Sequence, residues 1–225
     1  LLAATLVSNN YRDLISIYLG DSTSYISDKA KTVCQQIEEE GMVLLQNNDN
    51  TLPLKKAAKL SLFGQDSVDL VYGGSGSGAV NSSAAVTLKD ALEKSGFSVN
   101  STLWDFYKTG AGKAYRKSFP DTAGNGKFVV NEVPANVFTS EVKNSFASYN
   151  DAAIVVVGRS GGESGDIPTD KLESGYNYLE LDNNELDTLM LDVVVGTAIQ
   201  ILHFMQLDPE PARSFGNLKL PRLQE

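Results

Sequence analysis

Between Lys29 and Gln46 the apolar residues Ala30, Val33, Cys34, Ile37, Leu44 and Leu45 recur at helical spacings, while Glu38-Glu39-Glu40 mark a wet face. This pattern predicts an amphipathic helix ending near Gly41 or running past it. Asn47 to Leu54 is dense in turn formers and reads as a loop, and Lys59 to Gly64 follows as a short buried strand. Thr87 is a natural N-cap and Gly96 a natural C′ residue for a helix over the residues between them, and Phe97-Ser98-Val99 is a second strand. Strand, helix, strand in that order is a βαβ unit, whose parallel pairing implies a sheet with helices on its faces.

The middle of the chain, from about Trp104 to Pro134, has no clean period apart from a helix near Leu103 to Thr109, and the remainder is read as an insertion. Thr139 to Tyr149 has helical spacing and leads into Ala152 to Gly158, a β-branched run whose unbroken apolarity predicts a strand buried on both faces. Arg159 to Glu180 is a long loop, of the kind that is usually functional or disordered. Helical pattern resumes at Asp182 to Leu191, and Asp192 to Phe204 has room for a strand. Pro209, Pro211, Pro221 and scattered charges make the end unlike a folded element. The expected fold is α/β, a three-layer sandwich with a mostly parallel sheet flanked by helices, incomplete at its C-terminal side. The expected divisions are an N-terminal segment 1–28, the sandwich 29–191 and an atypical tail 192–225.

Composition bounds the function. With 225 residues, 42% hydrophobic and 21% charged, the chain is a soluble, core-forming protein. A net charge of −9 leaves no basic face for DNA or RNA. A (β/α)8 barrel takes about 250 residues, so the chain cannot hold one together with anything else. Its single cysteine, Cys34, excludes an internal disulfide and reads as a small buried hydrophobe; His203 is equally alone, within an apolar run, so a metal centre or a His-based triad has little support. The opening Leu1 to Val7 is apolar but too short to span a bilayer, and is expected to trail a longer apolar segment upstream.

Charge is uneven. Residues 151–190 hold nine acidic side chains against Arg159 and Lys171, a local net of −7. Most of these carboxylates are expected on a solvated surface. One is placed differently: Glu163 follows Gly161-Gly162 just beyond the buried strand, where open α/β sheets put their ligand sites. Neighbouring acids and partial burial would raise its pKa toward what a general acid needs. Gly74, Gly76 and Ala79 match a G-x-G-x-x-A spacing, but they stand too far from the preceding strand and the following helix for a pyrophosphate cradle, so a surface or interface loop is the expected reading.

Several stretches together resemble one family, the family 3 glycoside hydrolases of β-glucosidase type, in their α/β sandwich or C-terminal domain. They are Glu40-Gly41-Met42-Val43-Leu44-Leu45-Gln46-Asn47 with Leu52-Pro53-Leu54, then Leu62-Phe63-Gly64, Gly73-Gly74-Ser75-Gly76-Ser77-Gly78, and Ala152 to Pro168, in order over roughly residues 30–190. The resemblance implies a retaining mechanism in which an Asp on a (β/α)8 barrel is the nucleophile and a Glu on a sandwich loop is the general acid/base. Gly162-Glu163 matches that motif, so Glu163 is the implied acid/base, with Arg159 and Asp166 as implied substrate-binding flanks. Ser164 stands where the family often has Gly. The nucleophile's barrel has no counterpart here, and after about Met190 the sequence departs from the family.

These readings imply a β-linked oligosaccharide or glycoside as substrate, no cofactor, no metal, and a barrel on the same polypeptide as partner; the isolated chain is expected to be inactive. The order of the segments is similar to members in which the sandwich precedes the barrel and follows a membrane-proximal segment. Contact with a membrane would come only through an upstream anchor, and cytoplasmic and anchored or extracellular locations both remain open. The alternative is a non-catalytic carbohydrate- or partner-binding module in which Tyr72, Trp104 and Tyr107 stack on sugars.

Overall fold

The computed structural model describes residues 23–44, 47, 50–72, 82–121, 123, 125–161, 167–188 and 199–205. The glycine-rich run Gly73 to Gly78, the implied site residues Glu163 and Asp166, and the segment after 205 lie outside them. The chain divides into two compact units, residues 1–50 and 51–225.

In the first unit, helix α1 (Thr23–Gly41) starts earlier than the hydrophobic pattern indicates and stops at the glycine. Its surface carries an i,i+4 hydrogen bond from Gln35 Nε2 to Glu39 Oε1 (2.7 Å) and an ion pair between Lys31 and Asp28 (3.7 Å). Cys34, expected in the core, is exposed, as are Val33 and Ile37. A stripe of small apolar residues on one helix is buried only when a second layer covers it, and α1 is the only element described in its unit.

The second unit is an α/β sandwich around a parallel four-stranded sheet in the order β2-β1-β3-β4: β1 (Lys59–Phe63), β2 (Ser98–Val99), β3 (Ala152–Arg159) and β4 (Ile199–Met205). β1, helix α2 (Leu88–Lys94) and β2 are the expected βαβ unit. Thr87 caps α2, its hydroxyl accepting from the Asp90 N–H (3.1 Å), and Gly96 takes a φ of 91° just past the helix, the left-handed conformation that glycine allows. Helix α3 (Ser101–Lys108) begins two residues before the hydrophobic pattern suggests because Asn100 is its cap; Asn100 Oδ1 accepts from Leu103 N–H (3.1 Å) and its Nδ2 reaches Ser145 Oγ (2.8 Å) on helix α4 (Ser140–Phe146). A buried asparagine thus joins two helices with its polar groups satisfied.

Each residue of β3 is buried, as its apolar run predicts, and its register with β1 pairs Leu60 with Ala152 and Phe63 with Val155. Phe63 meets Phe146 edge-on (5.1 Å between centroids), so α4 covers that face. Leu103, Trp104, Phe106 and Tyr107 of α3 complete the core with Phe138. Trp104 and Tyr107 are therefore packing residues and are not available to stack on a sugar; Tyr72 is partly exposed and donates to the Val86 carbonyl (3.3 Å). β4 pairs in parallel with β3 from Ala153↔Ile199 to Arg159↔Met205, so the strand for which 192–204 had room forms at the sheet edge and carries His203.

Candidate functional site

In the order β2-β1-β3-β4 the chain first builds outward from β1 to β2 and then returns to β1's other side with β3. At such a switch point the connections leaving two adjacent strands diverge and open a crevice at their carboxyl ends. Here the switch point falls between Gly64, after β1, and Arg159, the last residue of β3.

Gly64 has a φ of 90°, and a Cβ there would stand 2.4 Å from the Val156 carbonyl oxygen. Only glycine allows this approach, and its N–H donates to the buried Tyr107 hydroxyl (3.1 Å). The sharp departure sends the chain into a short 3₁₀ turn, Gln65–Ser67, which aims Asp66 at the end of β3: the Gly158 N–H donates to Asp66 Oδ2 (2.6 Å). Gly158 is required for the same reason, since a Cβ would meet the Asp66 carboxyl at 2.9 Å. Asp66 also pairs with Lys117. Burial raises its pKa, against the pull of the Lys117 ammonium, the Gly158 N–H and Arg159.

Arg159 is 3% exposed, and each of its five N–H bonds has a protein acceptor. Nε donates to Tyr178 O (2.6 Å), Nη1 to Gly158 O (3.0 Å) and Glu185 Oε1 (2.7 Å), and Nη2 to Glu180 O (2.8 Å) and Glu185 Oε2 (2.8 Å). Burial opposes the guanidinium charge, but Glu185 outweighs it and holds the pKa above the ordinary arginine value. Burial, chiefly, raises the Glu185 pKa, with the Asp182 charge adding to it, against the pull of the two-pronged contact with Arg159 and of the Asp182 N–H. Glu185 in turn belongs to a reciprocal capping box, accepting from Asp182 N–H (3.0 Å) while Asp182 Oδ1 accepts from Glu185 N–H (2.8 Å) at the start of a helix that runs from 183 to at least 188.

The insertion read from sequence packs against the same 3₁₀ turn. Ser118 and Val129 pair as an antiparallel bridge, and Asp121 closes the tip by accepting from the Ala123 and Asn125 N–H groups (2.9 and 2.8 Å). Its two legs grip the turn after β1: Arg116 and Lys117 hold Gln65 and Asp66, while Glu132 accepts from Gln65 N–H (2.6 Å) and Val133 N–H (2.8 Å). Glu132 is 4% exposed. Its burial, chiefly, pushes its pKa up to about 8 against those two donors, with the Asp66 and Glu185 charges adding to the rise. Near its tip, Phe128 meets Tyr178 edge-on (5.0 Å), and Lys127 pairs with Glu173.

Of the residues singled out from sequence, Arg159 stands in this cluster, and the loop that contains Glu163 and Asp166 leaves β3 from it. Direct contact between the Arg159 side chain and a sugar would have to displace one of its five protein acceptors. Asp66, Lys117, Glu132, Tyr178 and Glu185 escaped the sequence reading. Two signals pointed to some of them: Asp182-Asn183-Asn184-Glu185 has capping-box spacing, and Asp66 is a charge placed directly after a buried strand and its glycine. Nothing local marks Glu132, whose role depends on tertiary contacts.

The sequence profile of the glycosyl hydrolase family 3 C-terminal domain matches residues 42–198. Beta-glucosidase A of Butyrivibrio fibrisolvens is 33% identical over 129 residues, 56% of this chain and 14% of that protein. The beta-glucosidase of Ruminococcus albus is 34% identical over 136 residues, 58% of this chain and 13% of that one. The chain therefore spans about one-seventh of either relative. Among solved structures, beta-glucosidase 3B of Thermotoga neapolitana in complex with glucose superposes with a TM-score of 0.59 at 24% identity, over 78% of this chain and 24% of that one, which shows the shared fold. A beta-glucosidase from Paenibacillus barengoltzii gives 0.55 at 25% identity, over 72% and 17%. The parallel sandwich, the glycine-dependent switch point and the profile match agree: the chain belongs to the glycosyl hydrolase family 3 C-terminal domain family.

Proposed function

We propose that this chain supplies the acid/base carboxyl of a retaining β-glycosidase of β-glucosidase type, and that the carboxyl is Glu163. The observation that carries the reading is positional. Glu163 lies four residues past the end of a strand buried along its whole length, in the segment that follows the sheet's switch point. The nucleophile is an Asp on a (β/α)8 barrel elsewhere on the same polypeptide, and the substrate is a β-linked oligosaccharide or glycoside.

In the first step the Glu163 carboxyl gives its proton to the glycosidic oxygen as the bond from that oxygen to the anomeric carbon breaks and the Asp carboxylate bonds to the same carbon. In the second, Glu163 takes a proton from water, whose oxygen attacks the anomeric carbon and releases the Asp. Asp166, three residues further along the chain, is the substrate-binding flank that the resemblance implies. Arg159, its N–H groups engaged by Tyr178, Gly158, Glu180 and Glu185, orients the loop rather than binding the sugar.

The test is made on the longer polypeptide that carries this chain with its barrel. Glu163→Gln is expected to lower turnover of an aryl β-glucoside by 10²-fold or more, an order set by typical general acid/base contributions, and added azide is expected to restore it for an activated aryl leaving group. Unchanged turnover in Glu163→Gln would reject the assignment. The isolated chain is expected to have no measurable activity on the same substrate.

A further inference from the structure

Ser160 and Tyr178, which flank residues 161–177, are tied together chiefly by the Tyr178 side chain. Tyr178 stands where the loop returns, and its hydroxyl makes two hydrogen bonds to one residue at the loop's start, donating to Ser160 O (2.6 Å) and accepting from Ser160 N–H (2.8 Å). The Arg159 Nε–H donates to Tyr178 O (2.6 Å), a third rung between the same two points. Among the described residues Ser160's own buried hydroxyl has no hydrogen-bond partner, and its backbone, not its side chain, carries the tie. The ring is fixed independently: Phe128 packs on it edge-on at 5.0 Å, and the Arg159 guanidinium carbon lies 6.0 Å from its centroid. The tyrosine is itself buried, and its pKa is raised, with burial outweighing the opposing Ser160 bond and Arg159 charge. It therefore keeps its proton and can donate and accept together across the working pH range.

We infer that Tyr178 is a positioning residue for the acid/base step: by holding both backbone groups of Ser160 it sets the direction in which the chain leaves β3, three residues before Glu163. This rests on the reading of Glu163 given above. A proton donor has to be held within about half an ångström of its productive place, and a long loop anchored only at its covalent ends does not achieve this. The tie fixes the point from which the chain sets out toward the donor.

A positioning role and a merely structural one separate by leaving group. Protonation matters when the departing alcohol is a weak acid and matters little when it leaves unaided as dinitrophenolate. Tyr178→Phe keeps the ring against Phe128 and removes both rungs to Ser160. In the longer polypeptide it is expected to lower kcat/KM by about tenfold or more for an alkyl β-glucoside, within the range of general-acid contributions, and by less than about twofold for the dinitrophenyl β-glucoside. An equal fall for both substrates, or no fall for either, overturns the inference. Glu163→Gln is measured alongside and is expected to show the same split, larger. If it shows none while Tyr178→Phe does, the acid/base reading has failed and the loop positions some other donor. Arg159→Lys, which retains a charge for Glu185 but loses the Nε–H bond to Tyr178 O, is the second variant; should Tyr178→Phe not fold, the split in Arg159→Lys decides.

Discussion

Glu132 shows how a single residue couples this fold to pH. Its carboxyl is buried beside two other acids and accepts two backbone N–H bonds, and its pKa lies near 8 instead of the ordinary 4.5. A carboxyl that holds its proton more tightly in the folded state stabilises that state relative to the unfolded chain at low pH, and the advantage is lost as pH climbs from about 4.5 through about 8. The full loss is on the order of 5 kcal/mol at most. Asp66, raised in the same direction, adds to it. The chain is therefore expected to melt at a lower temperature at pH 8 than at pH 5, followed by the fluorescence of its single tryptophan, Trp104, which is buried. Glu132→Gln should flatten that dependence, because an amide does not titrate, while lowering stability at pH 5, because the amide nitrogen would face one of the two backbone N–H donors. A variant with the parent's slope would place the titration elsewhere. None of this could be read from sequence, because the pKa depends on neighbours at positions 65, 66 and 185 that only folding brings together. Cys34 is the converse case: its spacing says buried, yet spacing cannot say whether a covering layer exists.

At the level of elements the sequence was far more informative. Strands β1 and β3, helices α2 and α4, and the Thr87, Thr139 and Gly96 boundaries follow from short-range rules of alternation, capping and glycine conformation. The 116–133 excursion was legible only as an insertion, because its grip on Gln65 and Asp66 is made of long-range polar contacts without periodicity. The glycine that ends β1 is the most sensitive point of the switch. Gly64→Ala places a methyl 2.4 Å from a backbone carbonyl at a φ of 90°, so β1 and β3 must separate. A loss of about 3 kcal/mol or more is expected, read as a fall in the urea midpoint of the chain. A change under about 0.5 kcal/mol would show that the crossing is looser than its geometry implies.

The whole molecule places its charge with a purpose that composition hides. Residues 151–190 carry a net −7, yet two of those acids, Asp182 and Glu185, are buried and serve Arg159 and a helix start. Charge counting located the loop, and the structure divides its carboxylates between internal braces and surface groups. The family and sheet topology were legible because their motifs lie on strands and turns with strict local geometry; the brace around Arg159 was not, because Tyr178 and Glu185 are distant in sequence from the strand they secure. The central proposal is that this domain contributes the proton donor of a two-step, retaining reaction. Its most direct test is the stereochemistry of the product formed by Glu163→Gln in the longer polypeptide, from an activated aryl β-glucoside in the presence of azide. With the acid/base gone and the covalent intermediate intact, azide should attack that intermediate and give the β-glycosyl azide, seen by NMR. Free glucose formed at the parent rate with no azide adduct would contradict it.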